Sequence, residues 1–105
     1  NPDLKAIYTA NDDVALGAMQ AVLAANRAGK TVVTGMNGVP PALHAVKDGT
    51  IAMTVELNPV AWGQLGVDVL ATYLKGEKVE PRVFIHHVII DSSNVDAALA
   101  KLPKS

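Results

Sequence analysis

The chain has 105 residues, half of them apolar, and a formal charge of −1. That length supports one modest core, and the near-neutral balance, with Lys and Arg scattered, leaves no electrostatic footprint for nucleic acid or a membrane surface. There is no cysteine, so a disulfide framework and a thiolate metal site are excluded, while the compartment stays open.

The first ten residues, "NPDLKAIYTA", have no initiator Met, basic n-region or apolar h-region. They run almost directly into a core-like strand, so the chain is expected to be a piece of a longer one, cut or processed upstream. "AIYT" (6–9) is the first strand, and "NDD" supplies side-chain caps, Asp12 among them, for a helix from Asp12 to Arg27. On it Asp13, Gly17, Gln20, Ala24 and Arg27 form one thin polar or small stripe. Val14, Leu16, Ala18, Met19, Val22 and Leu23 cover the rest, as in a helix pressed against a sheet.

"TVVTG" (31–35) is a second strand, and Pro41 to Asp48 a short helix with Leu43 and Val46 inward. "IAMTV" (51–55) is a third strand. A longer helix spans Val60 to Lys75, with Gln64, Asp68, Thr72 and Lys75 outward and Trp62, Leu65, Val69 and Tyr73 opposite. After the polar turn "GEKVEP" come a fourth strand, "RVFIHHVII" (82–90), and a last short helix, "NVDAALAKL" (94–102). Apolar stretches are broken by Asp, Asn, Gln or Gly well short of the roughly 18 residues a membrane span needs, so direct membrane insertion is not expected.

Three helices are expected to close on a glycine, at Gly29, Gly49 and Gly76, because glycine accepts the left-handed conformation that ends a helix. Alternating β and α units with short connections predict an α/β fold, a Rossmann-like parallel sheet with right-handed crossovers and flanking helices.

In such a sheet, ligands bind beyond the carboxyl ends of the strands. Asn11 follows the first strand there, Asn37 the second, and Glu56 with Asn58 the third. An amide carries donors and an acceptor without charge, which suits a neutral polyol better than a phosphate. Asn also favours turns and caps, so each of these residues has a purely structural reading beside the functional one. The loop "GMNGVPP" (35–41) invites a phosphate reading, but Pro40 and Pro41 remove the N–H groups that such a site uses. Proline at the first turn is instead good helix-starting chemistry. The glycines then allow a sharp turn that projects Asn37.

Asp12 and Asp13 suggest a magnesium pair as in receiver domains, yet the neighbouring strand end offers Asn37 rather than a third carboxylate. His44 falls on a solvent face. His86 and His87, adjacent on a strand, face opposite sides and cannot share a metal. Tyr8, Trp62, Tyr73 and Phe84 all occupy core-like positions. No Ser–His–Asp set, catalytic residue, metal site or cofactor motif emerges.

With those residues in place, "YTANDDVALGAMQAV", "VVTGMNGVPPALHAVKDGTIAMTVELNPVAWGQLGV" and "LKGEKVEPRV" resemble the C-terminal part of periplasmic sugar-binding proteins of the ribose-binding type. Lactose-repressor-type regulators share that ligand-binding fold, so an effector domain of a transcriptional regulator is the alternative reading; a receiver-like or enzymatic α/β domain is a third. The resemblance implies two Rossmann-like lobes that close on a monosaccharide or related polyol and deliver it to the membrane permease of an ABC importer, in the periplasm, with no catalysis. Residues 1–57 then belong to the C-terminal lobe, 58–90 cross the hinge into the N-terminal lobe, and 91–105 form a return segment and tail. The N-terminal portion of the parent would supply the rest of the site.

By position, the resemblance makes Asn11 the ligand-binding Asn of an A-N-D motif. Asn37 stands where the family usually has Asp, and Met36 where it has an aromatic. Leu57 stands at a ligand-binding Gln position of the hinge, with Glu56 just before it. Asn in place of Asp removes an anion that accepts from two hydroxyls, and losing the aromatic weakens stacking on a sugar ring. Together these changes point to a smaller or acyclic polyol, or to an anionic or differently oxidised ligand.

Overall fold

The computed structural model describes residues 1–103. In chain order it contains β1 (Ala6–Tyr8), α1 (Asp12–Ala24), β2 (Val32–Thr34), α2 (Pro40–Lys47), β3 (Met53–Glu56), α3 (Pro59–Leu74), β4 (Val88–Asp91) and α4 (Val95–Leu99). Residues 1–57 and the segment from Val88 onward form one compact unit, and residues 58–87 form another.

The first unit is an α/β layer. Its sheet has the order β1-β2-β3-β4, with β1, β2 and β3 parallel and β4 antiparallel to β3. The β1–α1–β2 and β2–α2–β3 connections are the crossovers expected of alternating units. Between β3 and β4 the chain builds a separate unit instead of a crossover helix, so the all-parallel expectation fails at β4.

Period-2 alternation decides which strand residues meet the helices. Val33, Thr54 and Ile90 are buried, with Ile7 packed partly beside them. They face Ala15, Met19 and Val22 of α1, Leu43, Ala45 and Val46 of α2, and Val95 and Ala98 of α4. Leu43 and Val46 point inward as their spacing predicts. Val14 and Leu23 do not, because α1 buries only the stripe Asp12, Ala15, Met19 and Val22. Each fully buried Val, Leu or Ile contributes about 1.5–3 kcal/mol through removal of apolar surface from water. The alternate strand positions Tyr8, Val32 and Ile89 are exposed, so within this unit the described helices cover one sheet face only.

Helix ends follow local chemistry. Pro40 and Pro41 occupy the first positions of α2, as expected, and Gly49 closes it at φ 75 with Thr50 N–H donating to the Ala45 C=O at 2.9 Å. The first helix departs from expectation: α1 stops at Ala24 and closes on Asn26 at φ 52, while Gly29, at φ 73, lies in the turn beyond. Asn26 N–H donates to the Leu23 C=O at 2.9 Å and Arg27 N–H to the Val22 C=O at 3.0 Å, which is a Schellman closure. Asn tolerates the left-handed conformation, so an ending with no glycine in place was open to the sequence. The last helix is also shorter than expected, five residues from Val95 to Leu99.

The second unit is built on α3. Asn58 caps it, its Oδ1 accepting from Ala61 N–H at 3.0 Å, and Pro59 starts it. Gly76 ends it at φ 77. No residue of α3 is buried, and its expected apolar face is only half-covered at Leu65 and Val69. All four aromatics assigned to the core lie exposed instead: Trp62 39%, Tyr8 77%, Tyr73 66% and Phe84 79%. Apolarity marks a surface that favours burial, but burial also requires a facing surface, and within its own unit none of these side chains is covered by one. Residues 82–87 are not strand, so the opposite-face argument for His86 and His87 does not hold; both are exposed, and the His87 ring meets Trp62 edge-on at 5.4 Å. No described helix is long and apolar enough to cross a membrane.

Candidate functional site

The carboxyl ends of β1, β2 and β3 meet in a network built from short polar side chains. Thr9, just after β1, is 4% exposed; its hydroxyl lies 2.7 Å from the Thr34 C=O and 2.9 Å from the Asn11 C=O. This fixes the end of β1 against the end of β2. Asn11 caps α1, with its Oδ1 accepting from Val14 N–H at 2.9 Å. The cap uses only the oxygen, so the helix makes no demand on the two Nδ2 donors.

Capping by Asp12, the sequence expectation, is not what the structure shows. Asp12 is the first helical residue and is only 1% exposed. Its carboxylate leaves the helix and bonds two other segments. Oδ2 accepts from Val39 N–H at 2.9 Å, and Oδ1 accepts from the Thr54 hydroxyl at 2.6 Å. A buried carboxylate is tolerated when its lone pairs are used, and its place in the first turn of α1 adds the favourable end of the helix dipole.

The loop after β2 extends the sheet irregularly. Asn37 N–H donates to the Val55 C=O at 2.9 Å, and Leu57 N–H donates to the Asn37 C=O at 3.2 Å. These two bonds form an isolated parallel bridge between Asn37 and Glu56. Asn37 has φ 129, a value costly for a side-chain-bearing residue, and Gly38 follows at φ 73. A Cβ on Gly38 would come within 3.0 Å of Glu56 Cα, so the loop runs flat against the end of β3. Gly38 N–H donates to Thr54 Oγ1 at 3.2 Å. The outcome is an exposed Asn37 side chain on a backbone held at four points.

The structure therefore brings Asn37, Glu56 and Leu57 together by direct pairing. Met36 precedes Asn37 and is half-buried, as are Glu56 and Leu57. Asn11 stands at the adjacent strand end, tied in through Thr9. All five sequence candidates lie at one edge. Sequence reasoning missed the residues beneath them, namely Thr9, Thr54, Gly35 and the inward role of Asp12. The signal available was Gly35, a glycine straight after a β-branched strand, which marks close approach of another group. That group is Asp12: a Cβ on Gly35 would lie 2.2 Å from Oδ1.

Phosphate is disfavoured here for a second reason. Beyond the two prolines without N–H groups, the Gly38 and Val39 N–H groups are already committed to Thr54 and Asp12. Among the described residues, no three His, Asp or Glu side chains converge as a metal would require. A hollow of about 260 Å³ opens at the other end of β2, between Met19, Val22, Thr31, Asp48 and Thr50, and none of the five candidates lines it.

Comparison with known proteins identifies the family. A family model described as periplasmic binding protein domain matches residues 1–78. The ribose import binding protein of Haemophilus influenzae is 43% identical over 81 residues, covering 77% of this chain and 27% of its own length. Among solved structures, a periplasmic ribose ABC transporter protein from Conexibacter woesei matches with a TM-score of 0.84 and 38% identity over 97% of this chain and 35% of its own. A periplasmic solute-binding protein from Actinobacillus succinogenes with bound D-allose matches with a TM-score of 0.81 and 28% identity, over 92% of this chain and 34% of its own. The chain thus spans about a quarter of the length of the curated relative and about a third of the two structures. The family-model match over residues 1–78 and the identity to these relatives show that this chain belongs to the periplasmic binding protein domain family.

Proposed function

We propose that residues 1–57 carry the ligand-reading edge of one lobe in a sugar- or polyol-binding protein of an ABC importer. The observation that carries this reading is Asn37, an exposed amide on a positive-φ backbone held at four points beside Glu56. Nature rarely maintains such a conformation without a use for the side chain it presents. Asn37 and Asn11 offer amide donors, and Glu56 offers a carboxylate acceptor in place of the acid absent at position 37. Adjacent hydroxyls of a neutral polyol need that mixture of donors and acceptors. Ribose and D-allose, named for the relatives, belong to that chemical class.

In this reading, residues 58–87 cross a hinge and contribute to the other lobe, and the chain returns to the first lobe at Val88, where β4 pairs with β3. The start of the second unit at residue 58 supports that division. The exposed apolar side chains of α3 support completion by further protein, because the apolar face of an amphipathic helix is normally buried. The rest of the polypeptide supplies the facing half of the site, and the protein works in the periplasm with a membrane permease as partner. Its task is binding and release, and it catalyses no reaction.

Calorimetry on the complete polypeptide that contains this segment tests the proposal, using a panel of neutral pentoses, hexoses and polyols with sugar phosphates as counter-ligands. Saturable binding of a neutral member is expected, and Asn37→Ala should weaken it roughly 5- to 150-fold, the cost of a buried polar group losing its partner. Binding of sugar phosphates alone, or an Asn37→Ala variant of unchanged affinity, would overturn the reading.

A further inference from the structure

We infer that Asp12 is the positioning residue of this site: a buried acceptor that locks the Asn11 and Asn37 amides into one fixed geometry. The inference rests on the sugar-site reading above and goes beyond it, because Asp12 faces inward and touches no ligand position.

The argument begins with the demand for acceptors. Two donors from separate segments converge on one point beneath the edge, the Val39 N–H and the Thr54 hydroxyl. Both segments matter to the site. Val39 lies two residues after Asn37, and Thr54 lies two before Glu56. An ionised carboxylate is acceptor-only and offers two oxygens, one for each donor. An amide would turn its NH₂ toward one of them. The Thr54 oxygen already accepts from Gly38 N–H, which makes a continuous relay from Gly38 through Thr54 to Asp12.

The surroundings hold the carboxylate in this role. Asp12 is 1% exposed and Thr54 is fully buried, so water does not compete for either bond. Gly35 leaves open the space that Oδ1 occupies; its would-be Cβ lies 2.2 Å from that oxygen. At the backbone, Asp12 directly follows Asn11, the cap of α1. A single side chain therefore connects the α1 entry, which carries Asn11, to the loop that carries Asn37 and to the strand end that carries Glu56. Were it freed, the Asn37 backbone would lose two of the anchors that sustain its unfavourable φ of 129.

Two variants of the complete polypeptide separate positioning from mere stability. Asp12→Asn keeps the shape and removes one acceptor; Thr54→Val keeps the volume and removes the relay, and serves if the first variant fails to fold. Without any ligand, amide hydrogen exchange at Gly38 and Val39 should speed up by about tenfold or more in Asp12→Asn, with amides in the middle of α1 unchanged. With a bound sugar, Kd should rise about tenfold, and this loss should nearly vanish when Asn37 is already Ala, the coupling expected of groups acting through one another. If Asp12→Asn lowers Tm and the active fraction but leaves Kd and the Gly38 and Val39 exchange rates alone, the residue is structural only and the inference is overturned. If the unaltered protein binds no sugar, the sugar-site reading fails, and the exchange rates decide the clamp: a Gly38 and Val39 speed-up upholds it, and its absence overturns it.

Discussion

Replacing Gly35 with alanine is the sharpest perturbation of the network beneath the site. The new Cβ would stand 2.2 Å from Asp12 Oδ1, 3.4 Å from its Cγ and 3.3 Å from Ala15 Cβ. The contact with Oδ1 is by far the closest of the three, so the carboxylate must move. In moving it loses its bonds from Val39 and Thr54, each to a charged acceptor and each worth about 1.5–3 kcal/mol. With part of that recovered by relaxation, the variant should lose about 3–4 kcal/mol of unfolding free energy. Urea unfolding measures this as a lower midpoint at constant m-value. The clash also predicts a rescue. In an Asp12→Ala background the obstruction is gone, so Gly35→Ala should cost less than about 1 kcal/mol, a large non-additivity. Equal effects of Gly35→Ala in both backgrounds, or a loss below about 1 kcal/mol in the original, would refute the reasoning.

Two further outcomes follow from the same geometry. Asn11→Ser preserves a cap oxygen and deletes the Nδ2 donors, so thermal unfolding should show stability within about 0.5 kcal/mol of the original, while calorimetry shows weaker sugar binding. A stability loss with unchanged binding would leave Asn11 as a cap and nothing more. Asp91 is held below its ordinary value of 3.8 first by the Ser93 hydroxyl and then by the Ser93 N–H, at 2.6 and 2.8 Å. Its folded pKa is depressed, so the stability it lends is complete above the unfolded value and is lost as pH falls through the folded one. A carboxyl titration followed by NMR should show Ser93→Ala moving the Asp91 midpoint upward, and an unmoved midpoint would remove the hydroxyl as the cause.

Local signals were legible in the sequence wherever they act within a few residues. Pro40 with Pro41, Asn58 with Pro59, and Gly49 and Gly76 each mark a helix boundary through backbone chemistry that needs no tertiary partner. The strand-end positions of Asn11, Asn37 and Glu56 were legible for a related reason, since strand ends can be found from the ends of β-branched runs, whereas Met36 and Leu57 were singled out by the family resemblance alone. What escaped depends on partners far along the chain. Asp12 reads as a first-turn acid because its true partners, Val39 and Thr54, lie 27 and 42 residues away. "RVFIHHVII" carries strand chemistry throughout, yet only its last three residues, Val88 to Ile90, pair, joined by Asp91 against the four residues of β3 from Glu56 back to Met53. The aromatics and α3 are apolar enough for a core, but within their own units no second surface closes over them. The left-handed closure at Asn26 was ambiguous for a different reason, as glycine stood close by and Asn accepts the same conformation.

The most direct test of the central claim is an NMR titration of the complete polypeptide with the neutral sugar or polyol that binds it, following the side-chain amide resonances of Asn11 and Asn37. Both pairs should shift and saturate at the calorimetric Kd, with resonances around the Met19 and Thr31 hollow unchanged. Saturable binding that leaves both amides unmoved and shifts the hollow instead would contradict the account.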